Sequence, residues 1–239
     1  MKRFGFIFMG MAGGFAVVGI MLAASFFMRS GAGAAPDLET SAPPIPIAEA
    51  PTEVEAAPAA PPTPVESHFA IDPAQSSAKL FVTETILFSD SVVVANASNV
   101  TGNVFLMPDG SLGPSQSAIQ LDLRTFKSSD SFLDSFLKGD TFKPFPTAEF
   151  IMASASGIPQ TYTDGNEFRF TVTGPLTLRG ITREVTFTAK GKSNGEFLSV
   201  VADTDFLMTD FGITPPNYGL GKAKNQVHLQ VLFLGAKAE

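Results

Sequence analysis

The sequence contains no cysteine and no tryptophan, and only two histidines among its 239 residues. Without cysteine it can form no disulfide and carry out no thiolate chemistry. It has no Gly-x-Ser-x-Gly elbow, no phosphate-binding loop and no Gly-x-Gly-x-x-Gly fingerprint. Its net charge is −7 and no cluster of Lys and Arg stands out, so nucleic acid is not an expected partner. We therefore expect a protein that is not an enzyme and that carries no metal and no cofactor.

The few titratable candidates support this expectation. His68 and His228 lie near opposite ends of the domain sequence, and they would be neighbours only if the first and last strands of a barrel pair there. His228 falls on the polar side of its strand, so we expect a solvated side chain rather than a metal ligand. Asp203 and Asp205 share one strand face, and we interpret them as two surface charges on an outer face.

Residues 1–30 carry the signature of a membrane segment. Lys2 and Arg3 precede a stretch of 25 residues, from Phe4 to Met28, that contains no charged side chain. As a helix it would measure about 37 Å, more than the ~30 Å hydrocarbon core of a bilayer. A secretory signal has an apolar region of only about 7–15 residues, so the length favours an uncleaved anchor over cleavage near Ala34. The basic N-terminus predicts a single span with the domain facing the periplasm or the cell exterior, or a secreted domain if cleavage occurs.

Residues 31–66 are predicted to be a disordered linker. They contain nine Pro and ten Ala, together with six acids and no Lys or Arg. Proline disfavours both helix and sheet, and the like charges repel one another. Fully extended as polyproline II, this segment would reach roughly 110 Å.

Residues 67–239 alternate between apolar and polar side chains along most of their length. In the stretch 167–191, Phe168, Phe170 and Val172 fall on one parity, whereas Arg169 and Thr171 fall on the other. Since successive side chains of a strand point to opposite faces, the pattern predicts a sheet with one buried side. Eight or nine such strands, separated by turns such as Asp164-Gly165 and Asn194-Gly195, predict an all-β antiparallel barrel. The predicted strands include 118–126, 148–155 and 197–207, and the β-branched run 92–107 is predicted to form two strands or one bent strand. One short helix over 128–137 interrupts the alternation, with Ser129 and Asp130 as the candidates for its N-cap.

The predicted inner face of the barrel is strongly apolar. Phe is common (23 residues) and Tyr rare (two), which leaves few polar groups inside. A barrel of about eight strands either fills itself or holds one small ligand, and this face would accept a hydrocarbon chain. The predicted ligand-lining residues are Leu80, Val82, Leu121, Leu123, Phe132, Phe136, Phe150, Met152, Phe168, Phe170, Val172, Leu176, Leu178, Val185, Phe187, Phe206, Leu229 and Val231.

Four elements, in order along residues 68–234, resemble the YceI-like family. They are Phe69-Ala70-Ile71-Asp72, Phe145-Pro146-Thr147-Ala148-Glu149-Phe150, Gly174-Pro175-Leu176-Thr177-Leu178-Arg179-Gly180-Ile181-Thr182-Arg183, and Asp210-Phe211-Gly212-Ile213. The resemblance implies a lipocalin-like barrel that binds polyisoprenoid lipids, including quinone-type tails, in the bacterial periplasm. Two positions depart from the family pattern, because Met208 and Ser129 stand where many members have Arg. If those arginines hold a ligand head group, the departures imply a less polar head or another lipid.

These observations lead to a first hypothesis of a tethered, non-enzymatic carrier or storage protein for an isoprenoid or quinone-like lipid. A second hypothesis is a fully packed barrel that acts as a structural or interaction module on a membrane stalk. A third is an enzyme that acts on a lipid in the barrel, with Asp203, Asp205 or His228 as acid or base. Whether the domain forms a homodimer is left open.

Overall fold

The computed structural model describes residues 42, 65–139 and 141–238. The predicted anchor at residues 1–30 and nearly all of the predicted linker lie outside these residues. No helix in the described part of the chain has the length and apolar character needed to cross a membrane. Ala42 is buried, and its backbone N–H lies 3.4 Å from a carboxylate oxygen of Glu167.

Within the described residues the chain forms twelve strands and one α-helix. The strands are β1 (Ser67–Ile71), β2 (Ser77–Ile86), β3 (Ser89–Ser98), β4 (Val100–Leu106), β5 (Ala118–Asp122), β6 (Lys127–Ser128), β7 (Thr147–Ile151), β8 (Ser154–Ser156), β9 (Phe168–Leu178), β10 (Ile181–Ser193), β11 (Phe197–Leu207) and β12 (Gly221–Lys237). The helix α1 spans Ser131–Lys138, between β6 and β7. Short 3-10 turns follow β5 (Leu123–Thr125) and β11 (Met208–Phe211).

Eight strands close into an antiparallel barrel in the order β1, β4, β5, β7, β9, β10, β11, β12. The ring closes where β12 pairs with β1, with Phe69 opposite Lys237 and Ile71 opposite Gly235. β12 has 17 residues, and its earlier part pairs with β2, from which β3 and β6 continue the sheet. The predicted all-β, eight-stranded antiparallel barrel with one short helix is confirmed.

The hairpin of β9 and β10 shows why the alternating sequence adopts this fold. Arg179 and Gly180 form its turn, both with positive φ (54° and 73°), as the twist of a tight hairpin requires. Eleven consecutive residue pairs then stay in register. Thr173 and Thr186 join across the outer face at 2.8 Å. The opposite face carries Val172, Leu176 and Leu178 into the core.

Helix α1 covers one end of the barrel. The Asp130 carboxylate caps its N-terminus by accepting hydrogen bonds from the backbone N–H groups of Phe132 (2.8 Å) and Leu133 (2.9 Å). Leu133 and Leu137 are buried beneath the helix. The Arg179 guanidinium donates to the carbonyl of Thr141 at 2.8 Å and to that of Gly212, so it ties the segment after α1 to the turn after β11.

Several predicted strands divide or end early. The β-branched run from Val92 to Met107 forms two strands, β3 and β4, because Asn99 adopts a left-handed φ of 63° between them. The strand predicted over 118–126 ends at Asp122, whose carboxylate accepts from the N–H of Arg124 and starts a 3-10 turn. The strand predicted over 148–155 divides into β7 and β8.

Candidate functional site: two adjoining apolar cavities

The inner faces of the strands do not fill the barrel. They leave two cavities of about 70 Å³ each. Leu121, Ala148, Leu176 and Leu229 line both cavities, so the two adjoin. One water needs about 10–15 Å³ of such space, so each cavity has room for about five waters, slightly more than the few that the packed-barrel hypothesis allows.

The first cavity lies beneath α1, at the end of the barrel that the helix covers. Its walls combine strand residues with residues of the helix and of both 3-10 turns: Leu80, Val82, Leu121, Leu123, Phe126, Leu133, Phe136, Leu137, Phe142, Ala148, Leu176, Leu178, Phe206, Met208, Ile213, Val227 and Leu229. Every one of these side chains is apolar. The cavity therefore offers no hydrogen-bonding side chain to an occupant.

The second cavity is lined mainly by strands and is equally apolar. Its walls are Val100, Ile119, Leu121, Ala148, Phe150, Met152, Phe170, Val172, Leu176, Phe187, Ala189, Val200, Ala202, Leu229, Val231 and Phe233. Phe150 and Phe187 meet edge to face, with their ring centroids 4.8 Å apart. Such a surface favours hydrocarbon over water, because water there would lose its hydrogen bonds.

Most of the predicted ligand-lining residues lie on these walls. They are Leu80, Val82, Leu121, Leu123, Phe136, Phe150, Met152, Phe170, Val172, Leu176, Leu178, Phe187, Phe206, Leu229 and Val231. Strand alternation placed them on the inner face, and contact with a ligand stays a prediction for all of them.

Three predicted lining residues lie elsewhere. Phe132 is 51% exposed and packs at a tilt against the ring of Tyr218, with 4.9 Å between the ring centroids, so its assignment to the barrel interior is wrong. It lies one residue before Leu133, and the turn of the helix directs these two side chains to different sides. Phe168 and Val185 pack against the core without lining either cavity. Phe168 instead packs against Phe170, at 5.6 Å between ring centroids.

The sequence argument missed the residues that close the helical end. Phe126, Phe142, Met208 and Ile213 all line the first cavity, yet none of them lies within a strand. The signal available for them was their apolar character in segments flanking the helix and the Asp-Phe-Gly-Ile element. Met208 also occupies one of the two positions where the family resemblance predicts Arg, so an apolar side chain faces the cavity there.

The histidine-carboxylate group lies on the outer face of the barrel. His228 Nε2 is 2.9 Å from Asp203 Oδ1, and His228 Nδ1 is 3.2 Å from Asp205 Oδ1. Gln230 donates to the same Asp203 oxygen at 3.0 Å, and Asp203 is only 8% exposed. The His228 side chain is 13% exposed, so the prediction of a solvated histidine is wrong. Of the two predicted surface charges on the outer face, Asp205 is 56% exposed as predicted, whereas Asp203 is buried.

The two histidines are far apart. β1 and β12 do pair, but Phe69 lies opposite Lys237, nine residues beyond His228 on β12. At about 3.3 Å per residue, His68 and His228 are separated by about 30 Å along the strand direction. His68 instead stacks on Phe105 and lies 2.7 Å from Asn103 Oδ1. Among the described residues, no group of three or more His, Asp or Glu has the arrangement of a metal site.

One acidic side chain points inward. Glu84 lies on the same face of β2 as the cavity residues Leu80 and Val82, and it is only 4% exposed. Burial, reinforced by the nearby negative charge of Asp130, raises the pKa of its carboxyl group. Burial likewise raises the pKa of Tyr218 to about 12, with contributions from Glu84 and Asp130. Glu84, Asp130 and Tyr218 are called the polar mouth below. None of the three lines the first cavity, and strand alternation places Glu84 two residues beyond its wall residue Val82.

The barrel resembles solved structures. BcnA of Burkholderia cenocepacia superposes with a TM-score of 0.52 at 16% identity, over 69% of this chain and 98% of that one. A polyisoprenoid binding domain from Saccharophagus degradans, implicated in plant cell wall breakdown, superposes with a TM-score of 0.53 at 9% identity, over 71% of this chain and 98% of that one. At these identities the likeness shows the fold. No curated protein matches the sequence.

A sequence model of one family matches residues 69–233, which include at least part of every barrel strand and most of the chain. The four elements identified by inspection fall within this range. The chain belongs to the family of YceI-like domains.

Proposed function

We propose that this protein holds one apolar lipid, with an isoprenoid or similar tail, inside its barrel. The observation that carries the proposal is the uninterrupted apolar lining of two adjoining cavities. A tail that enters them leaves water and meets only carbon and sulfur atoms of side chains. The domain serves as a carrier or storage protein for this lipid.

The hydrophobic effect supplies the driving force. Removing apolar surface from water contributes about 25 cal/mol per Å², or about 0.8 kcal/mol for each buried methylene. Since the walls offer no hydrogen-bonding side chain, affinity grows with the length of the tail and not with its polarity. A chain of several isoprene units matches the apolar chemistry of two adjoining cavities.

Family membership supports the same occupant. One structural relative is itself described as a polyisoprenoid binding domain, and this chain shares its fold. The sequence of residues 1–66 supports a location at the outer side of the cytoplasmic membrane, where the domain would receive lipid from the bilayer. The reach of the linker allows delivery at some distance from that membrane.

We propose further that the protein acts without catalysis. Acid-base chemistry on a bound lipid requires a titratable group within hydrogen-bond reach of the reacting atom. Asp203, Asp205 and His228 lie on the outer face, with the wall of the barrel between them and the cavities. This arrangement supports binding over the enzyme hypothesis.

Native mass spectrometry of the full chain, purified from the membranes of its host in mild detergent, tests the proposal. We expect a bound species with the mass of an isoprenoid or quinone-type lipid, which solvent extraction recovers. Protein that is empty in every preparation, and that takes up no prenyl lipid from vesicles, would count against it.

A further inference from the structure

The polar mouth has a feature that the apolar cavities do not explain. Glu84 Oε1 is completely buried and has no hydrogen-bond partner among the described residues. On β2 it faces the same side as Leu80 and Val82, and on the neighbouring strand it lies opposite the buried Ala223. Strand alternation therefore aims this carboxyl group toward the same side as the cavity residues, two positions beyond Val82.

Tyr218 also has a buried oxygen, that of its hydroxyl group, without a hydrogen-bond partner among the described residues. The residue lies in the tight turn that leads into β12, held by a hydrogen bond from its own N–H to the carbonyl of Gly221 at 2.7 Å. Phe132 packs against its ring from outside. This contact explains why Phe132 remains near the cavity without lining it.

Buried polar groups almost always have partners, because leaving one unpaired costs free energy comparable to a lost hydrogen bond. Two unpaired oxygens in the polar mouth therefore indicate a partner that the protein itself does not supply. The position suits the head group of a lipid whose tail extends into the first cavity. This inference rests on the proposed function.

The charge of the mouth restricts that head group. Asp130 is a second acid beside Glu84, and no Lys or Arg lines either cavity within the described residues. The nearby Lys224 is paired with Asp90, and Lys138 is paired with Asp134. Lys222 lies opposite Thr85 and is exposed, on the other face of β12 from the buried Ala223. A phosphate or diphosphate head would therefore bring its negative charge against two carboxyl groups without a cation on the inner face to balance it.

We propose that Glu84 and Tyr218 bind an uncharged, hydrogen-bonding head group, such as the hydroxyl of a prenol or the carbonyl of a quinone, and that the mouth rejects phosphorylated prenyl lipids. A carboxyl and a phenol can each donate or accept a hydrogen bond to such a head. The raised pKa values of both groups agree, since this environment already disfavours negative charge.

Three probes with one tail test the proposal: farnesol, farnesyl phosphate and the hydrocarbon farnesene. Each is added to the full chain in mild detergent, and the bound fraction is measured by native mass spectrometry. We expect the wild type to bind farnesol at least tenfold more tightly than farnesyl phosphate. Glu84→Leu removes one hydrogen bond and should weaken farnesol binding about fivefold to tenfold while leaving farnesene unchanged. Tyr218→Phe should weaken farnesol binding by about threefold and leave farnesene binding unchanged.

Glu84→Gln separates charge from structure. It keeps a hydrogen-bonding group of the same shape, so farnesol binding should persist, whereas farnesyl phosphate binding should rise at least threefold. Comparing variants with the same probe cancels the partition of that probe into detergent. Glu184→Leu makes the Leu replacement at an exposed acid on β10 and should change none of the three affinities.

The outcomes distinguish this proposal from the one on which it rests. The head-group site is wrong, and the lipid-binding barrel stands, if farnesene binds but farnesol and farnesyl phosphate bind equally well. The same conclusion follows if Glu84→Gln leaves the binding of both farnesol and farnesyl phosphate unchanged. If none of the probes binds to the wild type, both proposals are overturned.

Discussion

Ala148 is the small residue at the junction of the two cavities, and enlarging it tests whether they act as one path for a lipid tail. Ala148 lines both cavities, as do Leu121, Leu176 and Leu229. A Phe side chain at position 148 would project into the space between them. We expect Ala148→Phe to confine a bound tail to the first cavity.

The expected magnitude follows from the carbon atoms excluded. An isoprene unit has five carbons, and burying each methylene contributes about 0.8 kcal/mol, so one unit contributes at most about 4 kcal/mol. Ordering of the tail lowers this gain, because each immobilised bond costs entropy. We therefore expect geranylgeraniol to bind at least tenfold more weakly to Ala148→Phe than to the wild type. Geraniol, which is half as long, should change less than threefold.

The assay is a chain-length series of geraniol, farnesol and geranylgeraniol, measured on the full chain by native mass spectrometry. The wild type should gain affinity with each added unit, and Ala148→Phe should lose that gain for the longest tail. Ala153→Phe places the same side chain at an exposed position just beyond β7 and should behave as the wild type. An unchanged series in Ala148→Phe would refute the idea of a continuous path.

Three further predictions concern stability, each measured as a thermal or denaturant midpoint of the full chain. The raised pKa of Glu84 means that its contribution to stability is full below the pKa of the unfolded chain, near 4.5, and is lost as pH rises through the folded value. Glu84→Gln should therefore stabilise the protein more at pH 8 than at pH 4, by about 1.4 kcal/mol per pKa unit, and an equal effect at both would contradict the assignment. Arg179→Met removes the hydrogen bonds to the carbonyls of Thr141 and Gly212 and should lower the free energy of unfolding by about 2–3 kcal/mol. An unchanged midpoint would show that the segment after α1 and the turn after β11 stay in place without these hydrogen bonds. Leu87 and Phe88 both have positive φ (45° and 75°) in the exposed turn between β2 and β3. The double variant Leu87→Asn, Phe88→Gly should raise stability by about 1–2 kcal/mol, and a loss of stability would contradict the strain argument.

The sequence pattern predicts the structure correctly where the deciding residues lie close together in the chain. The strand predicted at Phe197–Leu207 has the same bounds in the structure. The turns at Asp164-Gly165 and Asn194-Gly195 follow from glycines that adopt a positive φ there. Asp130 caps the helix, as one of two candidates for that role. These features depend on residues within a few positions of one another, so the sequence contains the whole of the relevant interaction.

The pattern was less reliable wherever two distant segments meet. Phe132 was assigned to the interior by its apolar character, but the position of the helix on the barrel leaves it outside against Tyr218. His228 was assigned to solvent, but residues on β11 surround it. Glu84 has the same parity as Leu80 and Val82 on β2, so strand alternation alone predicts that its carboxyl group points inward.

By itself the sequence determined the strands, their apolar face and the family, because a period of two and a set of turn residues are properties of adjacent positions. Only the tertiary structure decided that the barrel encloses two cavities, which residues close its helical end, and that a carboxyl and a phenol stand unpaired at the mouth. Empty space is the difference between the volume that the backbone encloses and the volume that all inward side chains fill together. That difference depends on the register of every strand at once, and no local pattern contains it.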